Sequence, residues 1–402
     1  MADWSSQQDA ALKSVEKWLQ DPSGAQIFRL FGYAGTGKTT LAQHLVASVK
    51  GEVHFAAFTG KAAHVLGQKG CPNPSTIHRL IYQPKDKSRQ RLRDLEANRA
   101  KLLTQDPVQP QQVAQVDKAI AEERANLSRP MFQLNMESPL RRAGLVVVDE
   151  ASMVGRQMGQ DLTSFGCRIL ALGDPAQLPP VQDASYFSPE RPDVMLTQIH
   201  RQAAENPIIA LSKRIREDGV LSTGVYGGSR VIARGELSRE ALAEITLSAD
   251  QLLVGRNETR RSCNQRLRQL KGYVKPTPQA QDKLVCLRND HEQGLLNGQL
   301  WWCEEEPTHA DETLFMRIAN DEGERMAVVA HDAHFLGCEL DWTERRNAQE
   351  FDYGYALTVH KAQGSQWDNV VVLDEWRHAG TRRQWLYTAV TRAAANVTVV
   401  KM

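Results

Sequence analysis

No apolar run in this chain approaches the ~20 residues needed to cross a bilayer, which excludes a helical membrane protein. The six cysteines (Cys71, Cys167, Cys263, Cys286, Cys303 and Cys338) are scattered and include no C-x-x-C pair. Such spacing offers neither a zinc site nor a disulfide framework and is expected of free thiols in a reducing compartment. The start, Met1-Ala2-Asp3-Trp4-Ser5-Ser6, lacks the basic-then-apolar order of a secretion signal, so a cytoplasmic location is expected. Excess charge is missing too: 49 basic residues against 48 acidic leave a net charge of +1. No global field draws the chain onto nucleic acid, and any such surface must be a local groove. No internal repeat is visible. What remains is 402 residues, 41% hydrophobic and 24% charged, which suits a globular chain of two or three domains.

One octet then stands out. Gly32-Tyr33-Ala34-Gly35-Thr36-Gly37-Lys38-Thr39 fits G-x-x-x-x-G-K-[ST], with a strand-like run at 27–31 before it and a helix-like run at 40–46 after it. A phosphate loop needs that context. Glycines let successive backbone N–H groups turn inward around a polyphosphate, and the helix presents its positive end. Gly35, Thr36, Gly37, Lys38, Thr39 and Thr40 are the expected contacts of a nucleoside triphosphate. Lys38 is expected on the β- and γ-phosphates and the Thr39 hydroxyl on Mg²⁺.

Leu145-Val146-Val147-Val148-Asp149-Glu150 reads as a strand buried on both faces of a parallel sheet, with two acids at its carboxyl end. Ligands bind at that edge in open α/β sheets. Asp149 is suited to hold Mg²⁺ and Glu150 to polarise the attacking water. A further strand, Arg168-Ile169-Leu170-Ala171-Leu172, stops at Gly173-Asp174-Pro175 and leaves Gln177 near the same edge, where a neutral amide can sense the γ-phosphate. Glu52-Val53-His54-Phe55-Ala56-Ala57-Phe58-Thr59 adds another strand. Strands alternating with helices predict an α/β fold with a doubly wound parallel sheet.

The order of these motifs resembles superfamily 1 helicases, in the 1B branch that contains RecD and the phage helicase Dda, nearly end to end. Gln8 resembles the family's adenine-reading glutamine. Phe58-Thr59-Gly60-Lys61-Ala62-Ala63 is similar to a motif that touches the DNA backbone, with Phe58 where the family usually has proline. Ser75-Thr76-Ile77-His78 is similar to a second strand-contacting motif. Gly173-Asp174 through Gln177-Leu178-Pro179-Pro180 matches the family's Gly-Asp-x-x-Gln-Leu-Pro-Pro. Leu196-Thr197-Gln198-Ile199-His200-Arg201-Gln202 resembles the segment that supplies one arginine finger, Arg201. The string from Tyr353 to Ser365 resembles the fifth motif and includes Thr358, His360, Lys361 and Gly364. Leu386-Tyr387-Thr388-Ala389-Val390-Thr391-Arg392-Ala393 resembles the sixth, whose arginine is Arg392.

The resemblance implies two RecA-like lobes that hydrolyse ATP between them, with Mg²⁺, and a 5′ to 3′ motor on single-stranded DNA and its junctions with duplex. It also implies a monomer, a single-strand-binding or replication protein as partner, and work in DNA replication, recombination and repair. Charge builds on the γ-phosphoryl oxygens during transfer, and a guanidinium fork stabilises it. With nucleotide on one lobe and arginines on the other, hydrolysis requires closure. Thr59, Lys61 and His78 on lobe one, with Thr358, His360 and Lys361 on lobe two, form two grips that closure draws together. Outside these strings each arginine reads as a surface ion pair and His78 as an ordinary core or surface histidine. Two alternatives stay open: an ATP-switched nucleic-acid clamp that does not unwind, and an RNA helicase of the same superfamily.

Composition marks the boundaries. Lobe one is expected at 1–82 and 137–195, and lobe two at 196–275 and 350–402. Residues 83–136 turn charged and Gln-rich, with leucines and valines at helical spacing on either side of Asp106-Pro107, which predicts a helical hairpin. Relatives of the Dda type carry a strand-separating pin there, often a β-hairpin. A wedge and a coiled-coil arm for a partner both fit. Residues 276–349 have the short-strand texture of an inserted barrel, which the resemblance makes SH3-like. Trp301 and Trp302 are adjacent on a strand, so at most one faces a ligand. Arg260, Asn264 and Arg268 fall on one helical face, open to solvent or to a strand.

Overall fold

The apolar runs become central strands because helices cover both of their faces. The computed structural model describes residues 4–46, 49–84, 90–104, 110–128, 132–180, 184–187, 191–198, 206–290, 293–338 and 348–402. Its first lobe contains β1 (Ile27–Gly32), β2 (Val53–Ala57), β3 (Pro74–Thr76), β4 (Tyr82–Pro84), β5 (Phe132–Leu134), β6 (Leu145–Asp149), β7 (Arg168–Gly173) and β8 (Val194–Leu196). Six of these form a parallel sheet in the order β3-β2-β6-β7-β1-β8. In that register Phe31 lies beside Gly173 and Ala57 beside Asp149. The phosphate loop, Asp149-Glu150 and Gly173-Asp174 therefore leave the sheet at one edge.

The second lobe contains β9 (Gly224–Tyr226), β10 (Ser229–Ala233), β11 (Gln251–Val254), β12 (Lys283–Cys286), β13 (Leu300–Cys303), β14 (Thr308–Ala310), β15 (Thr313–Ala319), β16 (Arg325–His331), β17 (Phe351–Tyr353), β18 (Ala356–Thr358), β19 (Trp367–Asp374) and β20 (Ala393–Lys401). Its main sheet runs β18-β11-β19-β20-β10-β9, parallel except for the β9–β10 pair. The fold class read from the sequence is what the chain adopts.

An antiparallel sheet, β14-β15-β13-β12-β17 with β16 on the other edge of β15, interrupts the second lobe. Limits of 276–349 drawn from sequence texture leave out β17, because the chain pairs once more with β12 before β18 enters the main sheet. Trp301 is fully buried, while its neighbour Trp302 points the other way, half-buried, with the Lys283 ammonium 5.7 Å from its ring centre.

The basic face at Arg260, Asn264 and Arg268 is neither solvated nor a strand contact, because buried polar groups of the insert use all three side chains. Arg268 is buried and binds Asp282 at 2.8 Å and the carbonyls of Lys275 and Thr277. Asn264 is buried between the Tyr353 and Ala356 backbones, and Arg260 pairs with Asp352 at 2.5 Å. A buried charge needs such partners. This knot fixes the insert to lobe two.

In lobe one, β4 and β5 form a short antiparallel ribbon. Beyond it the helices Gln90–Leu103 and Pro110–Ser128 run antiparallel, with Leu102 and Ile120 buried and ion pairs Arg91–Glu123 (3.6 Å) and Arg99–Asp117. Of the breaker between them, residues 106–109 lie outside the described residues. None of the six cysteines is disulfide-bonded, and no helix among the described residues is long and apolar enough to cross a membrane.

Candidate active site and strand cleft

The phosphate loop has the backbone its sequence demands. Gly35 and Gly37 adopt φ of 78° and 79°, a region that side chains rarely enter. Thr36 is buried and donates to the Tyr33 carbonyl at 2.8 Å. Lys38 and Thr39 open the helix Lys38–Val46, and Thr40 is exposed on it. The Lys38 ammonium donates to the carbonyls of Gly32 (2.7 Å) and Tyr33 (3.1 Å), and the Thr39 hydroxyl donates to Asp149 at 3.2 Å. The Gln8 amide donates to the Thr36 carbonyl at 3.1 Å and accepts from Ser5 N–H at 3.0 Å. The buried Gln8 side chain braces the loop.

A cleft of about 440 Å³ between the lobes brings together Lys38, Asp149, Glu150, Asp174, Gln177, Gly364 and Arg392. Glu150 sits just past β6 at φ 52°, a strained conformation for a non-glycine residue. Burial raises its pKa above the usual glutamate range; neighbouring Asp149 and Asp174 push the same way, while Arg392 and Lys38 pull it back. Gln177 is buried, and its Oε1 has no hydrogen-bond partner. An orphaned buried acceptor costs about 1–3 kcal/mol, so its retention here points to a ligand's donor, such as a water. Arg392 reaches the cleft from lobe two, buried, with its guanidinium on the Thr388 and Ser365 carbonyls at 3.2 and 3.3 Å. Arg201 lies outside the described residues. Gly364 packs so closely that a Cβ there would meet Ala62 at 3.0 Å.

Three contributors to this site were not singled out in the sequence. The buried Tyr387 hydroxyl of lobe two accepts from Ala34 N–H in the phosphate loop at 2.9 Å and donates to Asp174 at 2.7 Å. Burial raises the Asp174 carboxyl, while Lys38 and the Tyr387 hydroxyl lower it. The Arg216 guanidinium lies 3.5 Å over the Tyr33 ring. Tyr387 does stand in the same string as Arg392, five residues earlier, and that was the available signal.

A second cleft, about 550 Å³, is lined by Thr59, Lys61, His360 and Lys361, with Phe58 and Asn297 beside them. Four of the six strand-contact candidates thus converge from two lobes. Burial lowers the pKa of Lys61, which Asp321 and Glu322 oppose, and Lys61 lies 5.3 Å over the Trp367 ring. Burial also lowers the pKa of His360 and Lys361, and Lys361 donates to Asn297. Thr358 sits behind, its hydroxyl accepting from Lys361 N–H at 3.3 Å. His78 is apart from the cleft, packed on Tyr82 and Phe132 with ring centres at 4.8 and 4.4 Å, at the ribbon that bears the helical arm.

A phosphate loop and carboxylates on one parallel sheet, faced by an arginine from a second, define a P-loop protein of two RecA-like lobes. Residues 4–227 match the family model described as an AAA domain, and residues 353–400 that of a UvrD-like helicase C-terminal domain. The chain belongs to that AAA family. The ATP-dependent RecD2 DNA helicase of Deinococcus radiodurans is 29% identical over 406 residues, 93% of this chain and 47% of that protein. The chain therefore spans about half the length of this curated relative. Pif1 helicase from Candida albicans superposes with a TM-score of 0.52 at 16% identity, covering 100% of this chain and 95% of that one. Bacteroides Pif1 in complex with ADP-AlF3 and ssDNA gives 0.52 at 16%, covering 96% and 91%. These likenesses establish the fold.

Tyr387→Phe should leave the Ala34 N–H and the Asp174 carboxylate without their shared partner and cost about 1–3 kcal/mol. Urea unfolding of the nucleotide-free protein measures it; an unchanged midpoint would show that the bridge contributes nothing.

Proposed function

We propose that this chain is an ATP-dependent DNA helicase that binds single-stranded DNA, hydrolyses ATP between its lobes and unwinds duplex from 5′ to 3′. The observation that carries the reading is the shared cleft, in which Arg392 of lobe two joins Lys38, Glu150 and Gln177 of lobe one. The curated relative named as a RecD2 DNA helicase supports the substrate class, and the Pif1 complex with ssDNA supports the strand.

Lys38 and the N–H groups of the phosphate loop bind the β- and γ-phosphates. Glu150, deprotonated, takes a proton from the attacking water, which Gln177 orients through its unpaired oxygen. Arg392 neutralises charge that builds on the γ-phosphoryl oxygens, and Arg201 is the second arginine of this role. Thr39 and Asp149 present hard oxygen donors side by side at the helix start, and these are the residues that would hold Mg²⁺. No cluster of three metal-binding side chains occurs among the described residues, which fits an ion that keeps most of its water. Bound there, Mg²⁺ supplies positive charge to the phosphate oxygens. Thr59 and Lys61 on one lobe, His360 and Lys361 on the other, grip successive phosphates. Closure shortens the distance between grips, and reopening resets it.

Glu150→Gln should keep ATP affinity within a few-fold of the parental value and abolish turnover. The acid limb of the parental kcat profile should lie above the ordinary glutamate value of about 4.3, because the raised carboxyl is protonated, and inactive as a base, below it. Parental turnover in the variant would remove Glu150 from the role. Strand displacement on 5′-tailed and 3′-tailed duplexes tests the motor: displacement from the 5′ tail alone is expected. ATP hydrolysis stimulated by strands with neither duplex displaced would make the protein a clamp, and stronger stimulation by RNA than by matched DNA would reassign the substrate.

A further inference from the structure

Next to the strand cleft lies a surface that the mechanism above does not use. Arg256, Glu375, Trp376, Arg377 and His378 border an open cleft of about 800 Å³ just past the carboxyl ends of β11 and β19. Trp376 is half-buried and lies parallel to the fully buried Trp385, with ring centres 6.1 Å apart and 5° between planes. The indole is thus held as a fixed plate. Gly255 makes room for it, since a Cβ there would stand 3.2 Å from Trp376 Cε3. His360, which lines the strand cleft, has its ring 5.5 Å from Trp376, and His378 follows at 5.6 Å. A row of rings therefore leads out of the strand cleft onto this surface.

Its exposed polar side chains are basic. Arg256, Arg377 and His378 are exposed. Among the lining side chains the one carboxylate, Glu375, accepts from the N–H groups of Gly255 and Arg256, the Thr259 hydroxyl and the Arg256 guanidinium. Those bonds hold it on the loop. Arg377 donates to a terminal carboxyl oxygen of Met402. An immobile aromatic plate flanked by guanidinium groups combines stacking with phosphate contact, the pairing that single strands require of a sequence-tolerant site.

We propose that this surface is a further strand subsite, with a base stacked on Trp376 and neighbouring phosphates on Arg377 and Arg256. It rests on the strand-binding reading above and lengthens lobe two's grip beyond His360 and Lys361. Binding to the plate is indifferent to base identity, because every base offers a π-face.

Fluorescence anisotropy with labelled oligothymidylates of graded length, on the full chain, tests it. Trp376→Ala should weaken binding of long oligomers about 5- to 150-fold, the fold-change that loss of one stacked base gives, and leave the shortest bound oligomer unaffected. Trp376→Phe should recover most of the loss. Arg377→Ala should flatten the slope of log K against log salt by about 0.7, one phosphate contact, without altering strand-free ATP hydrolysis. Should Trp376→Ala fail to fold, Arg377→Ala decides alone. A parental protein that binds strands, with variants indistinguishable from it at every length, overturns the subsite. A parental protein that binds no strand at all overturns the helicase reading instead.

Discussion

Three carboxylates (Asp149, Glu150 and Asp174) and two cations (Lys38 and Arg392) share one cleft, and none of them could be buried there alone. Removing a charge from water costs several kcal/mol unless partners replace the solvent. Around Glu150, lobe one sets Asp149 and Asp174 against the Lys38 ammonium. Lobe two supplies the missing guanidinium and, through Tyr387, a hydroxyl for Asp174. The electrostatic balance of the phosphate site is thus a property of the closed pair of lobes. The same contact that balances the charge also touches the phosphate loop backbone at Ala34. Nucleotide chemistry and lobe position are joined at one oxygen atom.

The antiparallel insert extends that coupling to the strand side. Its turn at Asn320 is stiffened by side-chain bonds to the N–H groups of Glu322 and Glu324. Glu322 then reaches the lobe-one helix Gly60–Gln68, meeting His64 at 2.5 Å and Gln68 at 2.9 Å. Leu296 closes on Gly60 at the start of that helix, where no side chain would fit. Thr59 caps that helix and Lys61 lies on it, so lobe two holds the proposed strand grip of lobe one at both ends. The knot of Arg268 with Asp282 makes the insert move with lobe two rather than by itself.

What was legible in the sequence was what local spacing dictates. A phosphate loop needs its glycines, lysine and threonine within one octet, and a buried strand that ends in Asp149-Glu150 announces its own edge. The doubly wound sheet followed from apolar runs alternating with helices. Tyr387 was not legible as a bridge, because its partner Ala34 is 353 residues away and the tyrosine itself is ordinary. The bond from the Gln8 amide to the Thr36 carbonyl was not legible either, since the two residues are 28 apart. The face at Arg260, Asn264 and Arg268 was misread for a general reason: charge at helical spacing usually means solvent, and only the fold brings Asp282 and Asp352 onto it. His78 stood in a strand-contacting string and packs on rings of a three-residue ribbon too short to leave a pattern.

The central claim is that an arginine from one lobe completes the phosphate chemistry of the other. Single-turnover ATP hydrolysis by Arg392→Ala, with nucleotide affinity measured in parallel, tests it most directly. The account predicts a rate about 10³- to 10⁵-fold below parental, with affinity changed only a few-fold. Hydrolysis at the parental rate would contradict it.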